Sequence, residues 1–452
     1  MPFRLSTACF AGALLFAGSA CALPKPQPAP PTPEQWRTMQ MHASDKAERI
    51  MRRADQHKSL LPRYETMLAG MIQGDPNPAF PVIFGQYLSW YQTYIGDYPN
   101  AAASFSVQET LLPGDRPSPL AAAWQARPAI EAVSRLARDR QAVFFNEAHH
   151  LPLTRTLTIE LLARLHAEGF DTFAAETLYA DDDQLAARGY PVADSGFYTN
   201  EPLCAEMVRT ALSLGYRVVA YESRDGGGGD ARERTQASNL YERVFKQHPK
   251  ARLVVDAGYA HIQETGEYLG GSSMAEHFHA LSGIDPLTVE QTMLIPHPVA
   301  AHDHPYYTAV VEHLKPTQPL VFVDGDGKPW ALREGYDVSV LFPPETLRRG
   351  RPTWLGLDGL RQAYPVSGDD DCAKQYPCLI EARYAAEGDD AIPADRLVLD
   401  PLPPHVHPDN ARRPSGGLSV SELYLRPGKY RLLATDAQGR VLGRRAISVG
   451  GP

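Results

Sequence analysis

Apolar runs and helical patterns alternate through the middle of the chain. The apolar runs lie at 142–145, 171–176, 216–221 and 252–256, and helical patterns lie at 154–166, 232–246 and 273–280. Strands that alternate with helices build a parallel sheet, because each helix returns the chain to the edge where the next strand begins. We therefore predict an α/β domain over residues 126–360, with a mainly parallel sheet and flanking helices.

Three further apolar runs, at 289–294, 320–323 and 336–342, are candidates for additional strands. The last two are separated by an Asp-Gly-Asp-Gly turn at 324–327, which is typical of a hairpin. The sheet is therefore expected to extend beyond the four early strands.

The regions on either side of this domain have different patterns. Residues 35–125 carry helical patterns, one of them rich in aromatic residues at 80–95, and predict a helical N-terminal region. Beyond about residue 360 only short β-like runs occur, at 379–384, 396–399, 419–425, 429–435 and 441–449. Short strands without intervening helices predict a small C-terminal β-sandwich-like domain over 361–452.

The N-terminus has the composition of an export signal followed by a tether. Arg4 precedes an apolar segment at 8–17, and the small residues up to Ala22 have the pattern of a cleavage site. We predict a signal peptide at 1–22, a proline-rich tether at 23–34, and a periplasmic or extracellular location.

A lipoprotein signal anchored through Cys21 is the alternative interpretation of this segment. It is the weaker one, because Gly18 stands where such a signal usually has a leucine-like residue. No later apolar run reaches the roughly 18 residues that a membrane span needs, so no transmembrane segment is expected.

Three cysteines follow the predicted signal peptide. Cys372 and Cys378 are six residues apart in a polar segment, and an oxidising compartment favours a disulfide between them. Cys204 is then single, and we interpret it as a buried, inert thiol.

Ionisable residues follow each early strand of the α/β domain. They are Glu147, His149 and His150 after the first strand, Glu176 after the second, Tyr221 and Glu222 after the third, and His261 after the fourth. Carboxyl ends of parallel strands meet at one edge of a sheet, where ligands bind. Several carboxylates brought together need a cation, and Arg232, which opens the next helix, can supply it.

Three motifs at these positions match the pattern of a known family. Asn146-Glu147-Ala148-His149-His150 resembles a Gly-Glu-x-His opening, the helix from Arg232 resembles Arg-Asp/Glu-x-x-Met-Ala-x-Asn, and Gly258-Tyr-Ala-His261 resembles a Gly-x-x-His turn. Together with Glu176 as a second acidic residue, they resemble the erythromycin esterase and ChaN-like superfamily, which is related to TraB and TIKI proteins. The resemblance covers about residues 140–295. It departs from the family pattern at Asn146, which replaces Gly, and at Gln236, which replaces Met.

The resemblance implies a choice of functions. Similar proteins include esterases that hydrolyse macrolide lactones, haem-binding lipoproteins and metal-dependent proteases, and fold alone does not decide among them. We expect an exported hydrolase of ester or amide bonds, with a haem- or iron-binding carrier as the alternative. Hydrolysis is favoured because only an enzyme needs the acid pair Glu147 and Glu176 and the cation Arg232, whereas a carrier needs an axial His or Tyr over an apolar slot.

We assign a role to each residue of this cluster. His149 is the predicted general base on a water, with Glu147 or Glu176 holding its proton-bearing nitrogen. His261 faces the same water or the substrate carbonyl, and Arg232 neutralises the charge of the transition state. The predicted substrate contacts are His150, Tyr221, Glu222 and Tyr259. If a divalent metal is the cofactor, its predicted ligands are His149, His261 and Glu176.

The net charge of −9, with no lysine- or arginine-rich tract, argues against nucleic acid as a partner. A small-molecule substrate or haem is the expected partner. Residue types leave the oligomeric state open.

Overall fold

A computed structural model describes residues 31–121, 124–223, 228–400 and 419–450 of the chain. The predicted signal peptide, its lipoprotein alternative at Cys21 and most of the tether lie outside the described residues. Within the described ranges, no helix has both the length and the apolar composition to cross a membrane.

Four helices form the N-terminal region. They are α1 (Pro33–Ala54), α2 (Leu60–Gln73), α3 (Phe80–Tyr94) and α4 (Tyr98–Ser104). Phe84, Tyr91 and Tyr94 of the aromatic-rich helix α3 are buried in a core shared by the first three helices. Leu379 and Val398, from the C-terminal part of the chain, belong to the same core. The aromatic stripe is therefore packing surface.

An eight-stranded sheet forms the centre of the α/β domain. Its strands are β1 (Gln125–Pro128), β2 (Ala142–Glu147), β3 (Thr172–Ala175), β4 (Arg217–Ala220), β5 (Leu253–Gly258), β6 (Leu287–Leu294), β7 (Leu320–Val323) and β8 (Val338–Leu341). They lie in the order β1-β7-β8-β6-β2-β5-β3-β4. The six strands from β8 to β4 pair in parallel, whereas β7 is antiparallel to both of its neighbours, β1 and β8. The predicted α/β class with a mainly parallel sheet is confirmed.

Helices cover both faces of this sheet. They are α5 (Ala129–Ala137), α6 (Leu153–Ala167), the one-turn α7 (Leu185–Arg188), α8 (Pro202–Leu214), α9 (Gly229–Leu240), α10 (Met274–Ser282) and α11 (Pro305–Leu314). Residues of α5, α6 and α8 pack with one face of the central strands, and residues of α9 and α10 pack with the other. All six residues of β2 are consequently buried, as expected for a central strand between two helical layers.

The register of the central strands aligns their carboxyl ends. Glu147 at the end of β2 is opposite Gly258 at the end of β5, and Ala175 at the end of β3 is opposite Asp256 and Ala220. The polar residues that follow these four strands therefore emerge along one edge of the sheet.

Two antiparallel sheets follow the α/β domain. After the short strands β9 (Leu347–Arg348) and β10 (Arg351–Pro352) come β11 (Gln362–Ser367), β12 (Cys378–Tyr384), β13 (Asp395–Leu399), β14 (Val420–Leu425), β15 (Gly428–Thr435) and β16 (Val441–Val449). The sheet β13-β12-β15-β16 and the pair β11-β14 share one apolar core. Strand β11 was not predicted, because only one of its six residues is buried and no apolar pattern marks it.

The cysteines of the described chain fall into two classes. Cys372 and Cys378 form a disulfide, whereas Cys204 is a free thiol on the buried side of α8. We expect peptide mapping by mass spectrometry of the native protein to find Cys372 and Cys378 linked, and a thiol reagent to modify Cys204 only after denaturation. Rapid modification of Cys204 in the folded protein would contradict this placement.

Candidate active site

A histidine–carboxylate pair lies at the end of β2. The Nδ1 atom of His149 is 2.9 Å from Oε1 of Glu147, and both side chains are buried. Of the two carboxylates predicted to orient His149, the structure therefore brings Glu147 to its ring. Within the described residues the other ring nitrogen, Nε2, has no hydrogen-bond partner. A histidine held at Nδ1 with Nε2 free has the arrangement of a general base.

The second oxygen of Glu147 contacts the first of a series of buried polar side chains. Nη2 of Arg155, on α6, lies 2.6 Å from Oε2 of Glu147, and its Nη1 lies 3.1 Å from Oε2 of Glu201. Glu201 caps α8 through the backbone N–H groups of residues 203 and 204, and the hydroxyl of Tyr98 donates to its Oε1 at 2.8 Å. Burial raises the pKa of Glu147, but Arg155 and then His149 lower it below its ordinary value overall. Glu147 is thus kept ionised in the protein interior.

The ring of His149 is confined on several sides. Tyr198, in a short 3-10 helix at Tyr198–Asn200, stacks on it with ring centroids 3.9 Å apart, and Tyr259 meets it edge-on. A Cβ atom built on Gly258 would lie 2.4 Å from Cε1 and 2.5 Å from Nε2 of His149. Only glycine therefore lets β5 approach the imidazole this closely.

Glu176 and Glu222 share one guanidinium. Nη2 of Arg232 lies 2.7 Å from Oε1 of Glu176 and also contacts Glu222, to which its Nε donates at 3.1 Å. The other oxygen of Glu176 accepts from the N–H of Gly258 at 2.6 Å. Gln236 donates to Glu222 at 3.0 Å, so the residue that departs from the family pattern also takes part in this network.

The electrostatics of Glu176 follow from these contacts. Burial raises the pKa of the carboxyl, but the nearby His261 and His149 lower it. The Arg232 guanidinium adds to this effect, and the pKa of Glu176 is lowered to about 2. Glu176 is therefore a carboxylate at any physiological pH.

A second histidine–carboxylate pair lies on the far side of Arg232. Nδ1 of His261 is 2.6 Å from Oε2 of Glu233, and Nε2 is 3.2 Å from Nη1 of Arg232 and 3.5 Å from Oε1 of Glu176. Burial lowers the pKa of His261, but Glu176 and Glu233 more than offset it, so the pKa is raised above its ordinary value. The two carboxylates thus stabilise the protonated ring, whereas Arg232, whose Nη1 can only donate toward Nε2, opposes its protonation.

His150 and Tyr259 form the rim of the cluster beside His149. Nδ1 of His150 is 3.2 Å from the Tyr259 hydroxyl, and Phe105 meets the His150 ring edge-on. Burial lowers the pKa of His150 to about 3, with a smaller contribution from His149, so the ring is neutral near pH 7. Tyr259 has a left-handed backbone, with φ of 45°, and its carbonyl accepts from the side chain of Asn146 at 2.7 Å. Asn146 thus supports the turn that carries Tyr259.

Tyr221, a predicted substrate contact, lies in the core next to the ionisable cluster and does not form part of its hydrogen-bond network. Its side chain is fully buried in the core beneath α9, and its hydroxyl donates to the Asp256 carbonyl at 3.1 Å. The structure therefore brings together eight of the nine predicted site residues and places Tyr221 in the packing layer below them.

The residues do not fit a divalent metal. Among the described residues, no group of three or more His, Cys, Asp or Glu side chains is arranged to hold a metal ion. The three predicted ligands are His149, Glu176 and His261, and the Arg232 guanidinium lies within 3.2 Å of two of them. Arg232 therefore already supplies the positive charge among these residues that a metal ion would supply.

Nor does His149 fit as an axial ligand of haem. An axial ligand needs open space beyond the coordinating nitrogen for a planar macrocycle. Tyr198 instead covers one face of the His149 ring and Tyr259 meets it edge-on, so the surroundings of this histidine are crowded for a macrocycle, whereas a water is far smaller.

Four residues of the site have no counterpart in the sequence prediction: Arg155, Tyr198, Glu201 and Glu233. Glu233 is the neighbour of Arg232 in the helix motif, so that motif was the signal that could have revealed it. The other three come from parts of the chain without a recognisable motif.

Comparisons with known proteins found weak structural similarities. No protein-family model and no curated protein matches the chain. A crystal structure of bacterial protein toxins matches at 15% identity and a TM-score of 0.31, and the match covers 57% of this chain and 63% of that one. The type III effector HopBA1 matches at 13% identity and a TM-score of 0.26, and the match covers 37% of this chain and 87% of that one. RRSP, a MARTX toxin effector domain from Vibrio vulnificus, matches at 14% identity and a TM-score of 0.29, and the match covers 54% of this chain and 55% of that one. The chain thus spans less than two thirds of the first of these proteins. All three TM-scores are too low to transfer an activity.

Proposed function

We propose that the protein is an exported hydrolase that cleaves an ester or amide bond with a water activated by His149. The observation that carries this proposal is the buried His149–Glu147 pair, in which Nδ1 is held by a carboxylate and Nε2 is free within the described chain. A buried carboxylate fixes the tautomer that leaves Nε2 as the acceptor and stabilises the imidazolium formed when the water gives up its proton.

The reaction is a hydrolysis without a covalent enzyme intermediate. Nε2 of His149 takes a proton from the water as its oxygen adds to the substrate carbonyl carbon. The tetrahedral intermediate then collapses, the bond to the leaving oxygen or nitrogen breaks, and His149 returns the proton to the leaving group. The products are a carboxylic acid and an alcohol or amine.

Positive charge on the opposite side of the cluster supports the same chemistry. The guanidinium of Arg232 carries a permanent charge there, with Nη1 3.2 Å from the His261 ring, and Glu233 holds the other nitrogen of that ring. Fixed positive groups facing a general base stabilise the oxyanion that develops on the substrate, because they are oriented before the reaction begins. His150 and Tyr259, at the rim, are the proposed substrate contacts.

The test is turnover of a panel of aryl esters and anilides by the wild type and by His149→Ala. We expect the substitution to reduce kcat/KM by at least about a hundredfold, the lower range for loss of general base catalysis. The matched control is His313→Ala, because His313 is exposed on α11 and lies outside the cluster. Circular dichroism checks that each variant folds.

Equal rates for the wild type and His149→Ala would contradict the proposal. If the wild type then also bound haem tightly, with a Soret band, the carrier interpretation would replace it.

A further inference from the structure

A cavity lies away from the His149 cluster, on the helical layer formed by α5 and α6. It has a volume of about 480 Å³, within the range of small-molecule sites. Its walls come from the start of α5, from one face of α6, and from the segments at 316–319, 342–346 and 353–358. Arg155, on the same helix, contacts Glu147 and does not line the cavity, so the cavity is separate from the proposed active site.

The walls are largely apolar. Ile130, Leu153 and Phe342 line them, with several prolines and the ring of Trp354. The Trp354 ring is held in place, because its Nε1 donates to Glu345 at 3.2 Å and it packs on Tyr98 with ring centroids 5.3 Å apart. A fixed aromatic ring in an apolar wall can contact either a hydrocarbon group or a cation.

The charge of the cavity has one sign. Its ionisable lining residues are Glu160 and Asp358, and none of its described lining residues is a lysine, arginine or histidine. Neither carboxyl has a hydrogen bond or ion pair within the described part of the chain. Burial raises the pKa of Glu160 to about 8, and Asp358 adds to the shift. The carboxylates of the proposed active site, by contrast, each contact an arginine or a histidine.

We propose that this cavity binds a small organic ammonium ion. The charged group lies between the carboxyls of Glu160 and Asp358, and the apolar body of the ligand packs on Leu153, Phe342 and Trp354. Two unpaired carboxyls that face one apolar cavity repel each other when ionised, and a bound cation removes that repulsion. The negative charge of the cavity excludes anions. A neutral ligand of the same shape makes only the apolar contacts.

This site does not depend on the proposed hydrolysis. The test is calorimetric titration of the purified full chain with phenethylammonium, its neutral analogue phenethyl alcohol, and the anion hydrocinnamate. We expect the ammonium ion to bind at least about tenfold more tightly than the alcohol, since hydrogen bonds to charged groups are the stronger ones. Hydrocinnamate is expected not to bind.

The variant Glu160→Gln keeps the shape of the side chain and removes its charge. We expect about a tenfold loss of ammonium affinity. The matched control is Glu242→Gln, which removes an exposed carboxylate elsewhere on the surface. If Glu160→Gln folds poorly, Asp358→Asn tests the same charge from the exposed mouth of the cavity.

The pH dependence separates this site from general surface attraction. Because Glu160 must ionise to pair with the ligand, wild-type affinity should rise up to about pH 8 and then level, with release of a proton on binding below that pH. The rise should be absent in Glu160→Gln. No binding of the ammonium ion, equal binding of the alcohol, or an unchanged affinity in Glu160→Gln would overturn the proposal.

Discussion

Replacing Arg155 by methionine is expected to lower the free energy of unfolding by about 3–5 kcal/mol, the usual cost of removing one partner from a buried ion pair. The guanidinium lies 2.6 Å from Glu147 and 3.1 Å from Glu201, and its side chain is 0% exposed. Water therefore cannot take its place, and two carboxylates lose their buried cation together. Methionine keeps much of the side-chain volume, so the expected loss is chiefly electrostatic.

The same substitution should change how stability depends on pH. The pKa of Glu147 is below its ordinary value of 4.5. In the wild type this carboxylate therefore contributes stability that is fully present above that value and is lost as the pH falls through the lower, folded pKa. Without Arg155, burial raises the pKa of Glu147, and the carboxyl takes up a proton at a higher pH. A neutral Glu147 no longer stabilises the charged ring of His149, so the rate of hydrolysis should also fall by at least about a hundredfold. The loss of activity should begin at the acid end of the pH profile.

Urea denaturation at about pH 5 and about pH 8 measures the stability difference, and kcat/KM profiles measure the shift in activity. The matched control is Arg138→Met, because the Arg138 side chain is 66% exposed and lies 3.6 Å from its partner Glu168. That exposed pair should contribute no more than about 1 kcal/mol. Similar losses of unfolding free energy in the two variants would show that the buried contacts of Arg155 stabilise the protein no more than an exposed ion pair does.

The edge of the sheet could be predicted because ionisable residues follow each of the four early strands in the sequence. The run at 142–145 stops at polar residues, and the next three strands end in the same way, so a parallel arrangement was enough to bring Glu147, Glu176, Glu222 and His261 together. The structure brings Glu176, Glu222 and His261 into one network with Arg232, and Glu147 pairs with His149 and Arg155 beside it. Local pattern and topology point to the same residues here.

The series of buried polar contacts from Arg155 through Glu201 to Tyr98 could not be predicted in the same way. The apolar stripe of α6 indicates one buried face, but Thr154, Arg155 and Thr158 on its other faces are buried too, because α6 packs between the sheet and other helices. Arg155 and Glu201 are 46 residues apart, and Tyr98 lies 103 residues before Glu201. No spacing rule connects positions so distant, so only the assembled fold shows which carboxylate Arg155 contacts.

Side-chain direction at strand ends was the other unpredictable feature. Tyr221 directly follows β4, yet its side chain points into the core, whereas Glu222, the next residue, reaches Arg232. Successive side chains of an extended chain alternate between the two faces of a sheet, and the sequence does not say which of them turns toward the site. The choice between Glu147 and Glu176 as the partner of His149 depends on the same geometry.

Gly258→Ala is expected to reduce hydrolysis by about a hundredfold, because a displacement of about 1 Å in a catalytic group has an effect of that order. Gly258 has φ of −74° and ψ of 140°, a backbone conformation open to any residue. The substitution therefore causes no backbone strain, and its effect comes from the new methyl group. That group would lie 2.4 Å from Cε1 and 2.5 Å from Nε2 of His149, so the imidazole must move away.

Movement of the ring is restricted by its other contacts. Tyr198 stacks on one face at 3.9 Å and Glu147 holds Nδ1 at 2.9 Å, so a shift away from β5 breaks the stacking or the hydrogen bond. Overpacking of this kind costs about 1–3 kcal/mol of stability, which is separable from the loss of activity by measuring the unfolding free energy and kcat/KM on the same preparation. The matched control is Gly325→Ala, because a Cβ atom there meets nothing within 4 Å.

The position of His149 can also be followed without any assay of hydrolysis. The NMR resonances of the imidazole should shift in Gly258→Ala and stay unchanged in Gly325→Ala, because only the first substitution displaces the ring. Wild-type activity together with unshifted His149 resonances in Gly258→Ala would show that the close approach of β5 does not position the base. A shifted ring with full activity would instead remove His149 from the proposed mechanism, since a general base must keep its distance to the water it deprotonates.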